Sequence, residues 1–241
     1  MSPKTMKIIT RTIAEGMPDQ SLPVDEIHIW IASLNTNAFT GPCGCLNADE
    51  RERMAKFRLD KPRQQFATTR TLLRQLLGRY LKCEPSDVAI SHESTGKPIV
   101  RGYPLHFNVT HSDDIAAFAV STGRVGIDIE RIKPMPNFDS IVKRFFNAGE
   151  VAFFDDLPAH KRERAFFQMW TRKEALLKAL GQGIHALESC AISEENGRPY
   201  VKSLFEDDRC RERWQLRDFH IENGFAASVV FENALVPNLQ Q

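Results

Sequence analysis

The sequence predicts an α/β (α+β) protein built as a pseudo-twofold duplication of two similar lobes, each a small antiparallel-rich sheet packed on helices. Three observations lead there. The first is a repeat at an offset of roughly 100 residues. Asn47-Ala-Asp-Glu50 recurs as Asn147-Ala-Gly-Glu150, and Thr69-Arg70 with Leu72-Leu-Arg-Gln-Leu-Leu-Gly78 recurs as Thr171-Arg172 with Leu176-Leu-Lys-Ala-Leu-Gly181. Ile90-Ser91 with Gly96-Lys-Pro98 then recurs as Ile192-Ser193 with Gly197-Arg-Pro199. Chance supplies one such match, whereas three in the same order argue for a duplicated unit. The second is that both units run in the same order, strand, helices, strands. The third is a turn signal at Ser121-Thr-Gly123, which divides the chain into residues 1–121 and 122–241.

Taken in order, Glu26-Ile-His-Ile-Trp-Ile-Ala-Ser-Leu34 alternates and is rich in β-branched residues, the pattern of a buried strand. Helical spacing follows over 47–58 and 61–82, the second with an apolar stripe of Phe66, Leu73, Leu77 and Tyr80. Residues 104–110 and 115–121 read as antiparallel strands. The second unit opens on the strand Arg124-Val-Gly-Ile-Asp-Ile-Glu130, continues as helices over 148–156 and 161–180, and ends in strands at 213–221 and 225–232. Two such lobes pack face to face, and the groove between them is where a ligand site is expected.

Composition narrows the function. With 42% hydrophobic residues, 26% charged residues and a net charge of +1, nothing draws the whole chain to nucleic acid or to a membrane, so an anionic ligand needs a local cluster. Met1 to Thr12 is polar and carries Lys4, Lys7 and Arg11, without the apolar core of a signal peptide, and no run reaches transmembrane length, so a cytoplasmic location is expected. The five cysteines are an odd number. Cys43-Gly-Cys45 has neither zinc-knuckle nor redox-pair spacing, and Cys83, Cys190 and Cys210 lie far away, so all are read as reduced thiols.

Candidate chemistry starts at Gly126-Ile-Asp-Ile-Glu130, where alternation puts Asp128 and Glu130 on one strand face, about 7 Å apart, close enough to share one hard cation. In the helix of Arg164 to Gly181, Phe166, Phe167, Trp170, Leu177 and Leu180 form a stripe, and Lys173 and Glu174 fall inside it. Charges there are costly without partners. Two readings stay open: an internal salt bridge, or Glu174 completing a three-carboxylate magnesium site with Asp128 and Glu130. Arg63, Arg70 and Arg74 line one edge of the helix from Pro62 to Lys82, with Arg51 and Arg53 just before it. Such a row is either a solvated face or a phosphate patch. Lys97 sits in a rigid Gly-Lys-Pro turn, and His111 ends a strand before the turn formers Asp113 and Asp114.

Together these segments resemble the larger, surfactin-synthetase-activating (Sfp-type) class of 4'-phosphopantetheinyl transferases. The resemblance rests on Gly96-Lys-Pro98, Phe107-Asn-Val-Thr-His-Ser112, Gly126-Ile-Asp-Ile-Glu130, Arg144-Phe-Phe-Asn-Ala-Gly-Glu150 and Trp170-Thr-Arg-Lys-Glu-Ala-Leu-Leu-Lys178 with Gly181. It spans most of the chain, and the pairing of GxDxE with WxxKEAxxK is its most specific part. It implies a pseudo-twofold monomer with coenzyme A between the lobes and magnesium on Asp128, Glu130 and Glu174. It further implies Lys178 and His111 on the pyrophosphate or 3'-phosphate, Lys97 over the nucleotide, and Glu150 beside the metal or its water. Thr110 stands where the family often has serine and keeps the hydroxyl; the family's phosphate-binding cations vary in position, and the resemblance implies Arg53, Arg63 and Arg70 for them here.

The implied reaction moves phosphopantetheine from coenzyme A to a serine of an apo acyl or peptidyl carrier protein and releases 3',5'-adenosine diphosphate, with Glu174 the leading candidate to take the serine proton. Catalysis then falls to Glu174, Asp128, Lys178 and His111. A magnesium-dependent nucleotide pyrophosphate hydrolase would need the same groups and no protein acceptor. A nucleic-acid-binding module using the Arg63, Arg70, Arg74 row is disfavoured by the near-neutral charge. Which of fatty acid, polyketide or nonribosomal peptide synthesis is served is not written in these residues.

Overall fold

Alternation along four central strands decides how the layers stack. In the computed structural model, which describes residues 6–18, 21–35, 44–205, 207 and 210–233, strands β1 (Lys7–Thr12), β2 (Glu26–Ser33), β5 (His106–Ser112) and β6 (Ile115–Ser121) form one sheet in the order β1-β2-β6-β5. Lys4 and Cys43 lie outside the described residues. Trp30, Phe118 and Val120 point from one face of this sheet to helix α2 (Asp60–Leu81), while Ile27, Ile29, Ala117 and Ala119 point from the other. That second face meets Val125, Ile127 and Ile129 of β7 (Val125–Arg131) and Ala227, Val229 and Phe231 of β11 (Phe225–Glu232). With β10 (Trp214–Asp218), these make a second sheet, ordered β10-β11-β7, whose opposite face carries helix α5 (Ala159–Leu180). The layers therefore run helix, sheet, sheet, helix, and the apolar layer between the sheets is drawn from both halves of the repeat.

The repeat is visible in detail. Helix α1 (Ala48–Ala55) starts with Asn47 accepting from Glu50 N while Glu50 reaches back to Asn47 N, and α4 (Ala148–Asp156) starts with the same reciprocal pair of Asn147 and Glu150. Helices α2 and α5 both have 22 residues and both end on a left-handed residue, Lys82 at φ 55° and Gly181 at φ 75°. Each is followed by a small antiparallel hairpin, β3 (Ile90–His92) with β4 (Pro98–Val100), and β8 (Cys190–Glu195) with β9 (Arg198–Leu204). The second half adds α3 (Phe138–Phe145) and the short α6 (Cys210–Arg213).

The expected long helices and central strands match these elements to within a few residues. The described part of the polar amino terminus is not mere tail, because Lys7–Thr12 pairs in parallel with β2. The strand expected to begin at 213 begins at Trp214, after one turn of helix. Cys45, Cys83 and Cys190 are free thiols. No helix among the described residues is long and apolar enough to cross a membrane.

Candidate active site

Strand β7 is the floor of the candidate site, and its glycine decides what can lie over it. A Cβ on Gly126 would stand 2.0 Å from Ala175 O and 2.3 Å from Ala179 N, so only glycine lets α5 approach the strand this closely. On that helix Trp170, Glu174 and Lys178 follow at i, i+4 and i+8 and share one face. They meet Asp128 and Glu130 from β7 and Val109, Thr110 and His111 from β5 around a cavity of about 340 Å³.

Strands β5 and β7 are not hydrogen-bonded as a ladder; polar side chains join them. Asn108 Oδ1 accepts from Ile127 N at 2.9 Å, and Thr110 Oγ1 donates to Asp128 Oδ1 at 3.0 Å. Ser112 Oγ donates to Glu130 Oε2 at 2.9 Å and accepts from Arg131 N at 3.0 Å. Every second residue of β5 thus holds one point of β7. Lys178 Nζ completes the arrangement, 2.6 Å from Asp128 Oδ1 and 3.2 Å from Thr110 Oγ1.

The electrostatics are those of anions short of a cation. Burial raises the Asp128 pKa, opposed by Lys178 and Thr110. Burial also raises Glu130, with the Asp128 charge adding to it, and raises Glu174, where Lys178 opposes and Asp128 and Glu130 add. Asp128 is 4% exposed, and its Oδ2 is buried without a hydrogen-bond partner. His111 stands at the exposed rim, where partial burial and then Lys178 hold its imidazole below its ordinary pKa. Among the described residues no three His, Cys, Asp or Glu side chains are drawn together as a bound metal would hold them.

The sequence matches two family models that meet between residues 123 and 124. Residues 124–230 match the 4'-phosphopantetheinyl transferase superfamily, and residues 30–123 match the 4'-phosphopantetheinyl transferase amino-terminal model. The chain is also 37% identical over 183 residues to the 4'-phosphopantetheinyl transferase HetI of Nostoc sp., covering 73% of this chain and 77% of that one. The chain belongs to the 4'-phosphopantetheinyl transferase family. It is similar as well to psf-1 of Bacillus pumilus, 41% identical over 48% of this chain and 51% of that one, and to Sfp of Bacillus subtilis, 30% identical over 58% and 62%. The solved holo-[acyl-carrier-protein] synthase of Thermotoga maritima superposes with a TM-score of 0.37 at 24% identity, over 46% of this chain and 62% of that one. As a phosphopantetheinyl transferase, the protein uses coenzyme A as donor and a carrier protein as acceptor.

Within this transferase the expected residues divide into three groups. Asp128, Glu130, Glu174, Lys178, His111 and Thr110 come together around the one cavity. Arg53 and Arg70 gather elsewhere, their guanidinium groups 5.4 and 5.7 Å from the Phe66 ring centre, and Arg63 pairs with Asp60 at the surface. Lys97 does not line the cavity. It is 5% exposed, donates to Val125 O at 2.9 Å and to Lys178 O, and burial pushes its pKa down to about 8.

Two expectations change. The basic row does not continue to Arg74, which is 1% exposed and bonded to Glu50 Oε2 at 2.7 Å and to the carbonyls of Pro85 and Val88. Nor does Glu150 reach the cavity. Its carboxylate takes Lys173 Nζ at 2.5 Å, Asn147 N at 3.1 Å and Ile192 N at 2.9 Å, so Lys173 pairs with Glu150 and leaves Glu174 to the site. Glu50 with Arg74 and Glu150 with Lys173 are the two copies of one buried device, a capping glutamate that also neutralises the cation of the next long helix. Ser112 and Asn108 were quoted in the motif without a task. Their signal is the run Asn108, Thr110, Ser112 at every second position of β5, alternating with Phe107 and Val109.

Proposed function

We propose that this transferase works through magnesium held by Asp128, Glu130 and Glu174, with Lys178, His111 and Thr110 on the phosphates of coenzyme A. The observation that carries the reading is the partnerless, buried Asp128 Oδ2 in a cavity whose lining sets three carboxylates against one ammonium, that of Lys178. An all-oxygen donor set suits a hard dication, and such a cation would lower all three raised pKa values at once. When bound, magnesium supplies charge neutralisation at the pyrophosphate.

The chain's own groups do the rest. The carrier serine Oγ forms a bond to the β-phosphorus while the bond from that phosphorus to the bridging oxygen breaks, and 3',5'-adenosine diphosphate leaves. The serine proton goes to Glu174, directly or through a water, because that carboxylate faces the cavity beside Lys178. Lys178 Nζ, 2.6 Å from Asp128 Oδ1, and the His111 imidazole at the rim stabilise the charge that grows on the non-bridging and leaving oxygens. Arg53, Arg63 and Arg70 are proposed for the nucleotide end, with Arg53 and Arg70 around Phe66 the best-supported pair. The acceptor is an acyl or peptidyl carrier protein, the working unit a cytoplasmic monomer, and the division at 121/122 separates a nucleotide-side lobe from the carboxylate lobe.

The test is incubation with coenzyme A, magnesium and a panel of apo carrier proteins, read by intact mass. A mass gain equal to phosphopantetheine on a carrier serine is expected; cleavage of coenzyme A without any carrier would instead favour a hydrolase. Asp128→Ala should keep the melting curve, because its carboxylate is destabilised by burial, and lose transfer. Wild-type turnover of Asp128→Ala across a magnesium titration would remove it from the metal set.

A further inference from the structure

The carboxyl end of α5 is held by Lys97 from the other half of the protein and by Arg124, and the duplicated helix provides the comparison that gives this meaning. A helix leaves its last four carbonyls without helical partners. In α5 these are Leu177, Lys178, Ala179 and Leu180. Leu177 O takes the amides of Gly181 and Gln182, the ordinary left-handed cap. The other three take cations: Lys178 O accepts from Lys97 Nζ, Ala179 O from Arg124 Nε at 3.1 Å, and Leu180 O from Arg124 Nη2 at 3.2 Å. Arg124 is in turn forked onto Glu93, with Nη1 3.1 Å from Oε1 and Nη2 2.9 Å from Oε2. Glu93 and Lys97 flank the turn of the β3–β4 hairpin, whose Thr95 also packs against Gly181.

Helix α2 is the twin of α5 and ends on the same kind of cap, with Gly78 O taking the amides of Lys82 and Cys83. Among the described residues no side-chain cation reaches its last three carbonyls. The hairpin cation that corresponds to Lys97 is Arg198 of Gly197-Arg-Pro199, and it is exposed. The fold therefore does not require the grip, because one copy of the unit does without it. The copy that has it is the one whose helix carries Glu174 and Lys178.

We infer that Lys97 is a positioning residue, acting on phosphopantetheine transfer through the backbone of Lys178 and Val125 rather than by touching coenzyme A. A single buried ammonium ties the first residue of β7 to the last turn of α5. Those are the two elements that bring Asp128 and Glu130 against Glu174 and Lys178. The side chain of Lys178 reaches the cavity from the same residue whose carbonyl Lys97 holds, so a shift of that turn moves the ammonium relative to Asp128. Arg124 does the same work one and two residues further along. The inference rests on the proposed role of Lys178 at the phosphates.

The experiment compares Lys97→Met with wild type in steady-state transfer to an apo carrier protein, using coenzyme A and 3'-dephospho-coenzyme A as donors, with rates scaled to the folded fraction from melting curves. A misplacement of catalytic groups predicts a fall in kcat of at least about tenfold. KM for coenzyme A should stay within about twofold and the preference for the 3'-phosphate should be unchanged, since no ligand contact is lost. A tenfold or larger rise in KM with loss of that preference would make Lys97 a nucleotide contact and overturn the inference. A wild-type kcat in the folded fraction would make it a structural residue and overturn it equally. If Lys97→Met does not fold, Arg124→Lys carries the same test, because it keeps a cation beside Glu93 and loses the forked reach to two carbonyls. Lys178→Met is the control for the underlying reading: wild-type transfer by that variant would refute the role of Lys178, whatever Lys97 does.

Discussion

Lys173 and Glu174 are chain neighbours with opposite duties, and the side that each faces decides what its loss would do. Lys173 is fully buried against Glu150 and Cys190 O, whereas Glu174 faces the cavity with Trp170 and Lys178. Glu174→Gln should leave the melting temperature near wild type and lower single-turnover transfer at saturating magnesium by at least about a hundredfold, the scale of lost acid–base assistance. A large loss of stability with a proportionate loss of activity, or full activity in a stable protein, would take Glu174 out of the site. Glu150→Gln should do the reverse. Breaking a buried ion pair leaves the Lys173 amine with Cys190 O but no counter-charge, at a cost of about 3 to 5 kcal/mol, with the rate per folded molecule preserved. Denaturant titration paired with activity checks both parts, and a stable but inactive Glu150→Gln would return Glu150 to the chemistry. The sequence placed Lys173 and Glu174 correctly on the buried side of one helix. It could not separate them, because the partner that claims Lys173 lies 23 residues earlier and is brought there only by the packing of α4 beneath α5.

At the scale of elements, the pairing of β7 with α5 carries the site, and Gly126 is its narrowest point. Gly126→Ala places a methyl inside contact distance of three backbone atoms of α5, none of which can turn aside as a side chain would. The change should cost about 3 kcal/mol or more, at or above the upper end of ordinary overpacking. It should also weaken transfer beyond the loss of folded protein, since the helix that moves carries Glu174 and Lys178. An Ala variant with wild-type melting and kcat would show that the two elements have slack. The long helices and central strands were legible because α2, α5, β2, β6 and β7 have clear periodicity. The hairpins β3–β4 and β8–β9 show in the sequence as a repeat but not as strands: β3 and β4 have three residues each, too few for alternation to be read, and β8 and β9 carry a register irregularity at Ala191 and Ile192. The row of Arg63, Arg70 and Arg74 misled for a different reason. Helical spacing puts the three on one edge, but Arg74 is drawn inward by Glu50, a partner that no pattern within α2 announces.

Across the whole molecule, each hydrogen-bonded sheet lies within one half of the chain, and the link between halves runs through Thr122 and Gly123 at the surface between β6 and β7. What joins the halves otherwise is the apolar layer around Ile27, Ala119, Ile127 and Val229, the β5 side chains on β7, the bonds of Lys97 to Val125 O and Lys178 O, and the fork of Arg124 on Glu93. None of these needs a continuous peptide. The enzyme is thereby disposed to work as a split protein, with fragments 1–122 and 123–241 made separately and reassembled by complementation. Neither fragment alone should transfer phosphopantetheine, since Thr110 and His111 reside on one and the carboxylates on the other. Mixing should restore transfer with a dependence on fragment concentration that the intact chain lacks, and the apparent association should weaken with salt as the Arg124–Glu93 fork is screened. Soluble fragments that stay inactive together at micromolar concentrations would mean that the covalent link at Thr122 and Gly123 does more than hold the halves within reach of each other.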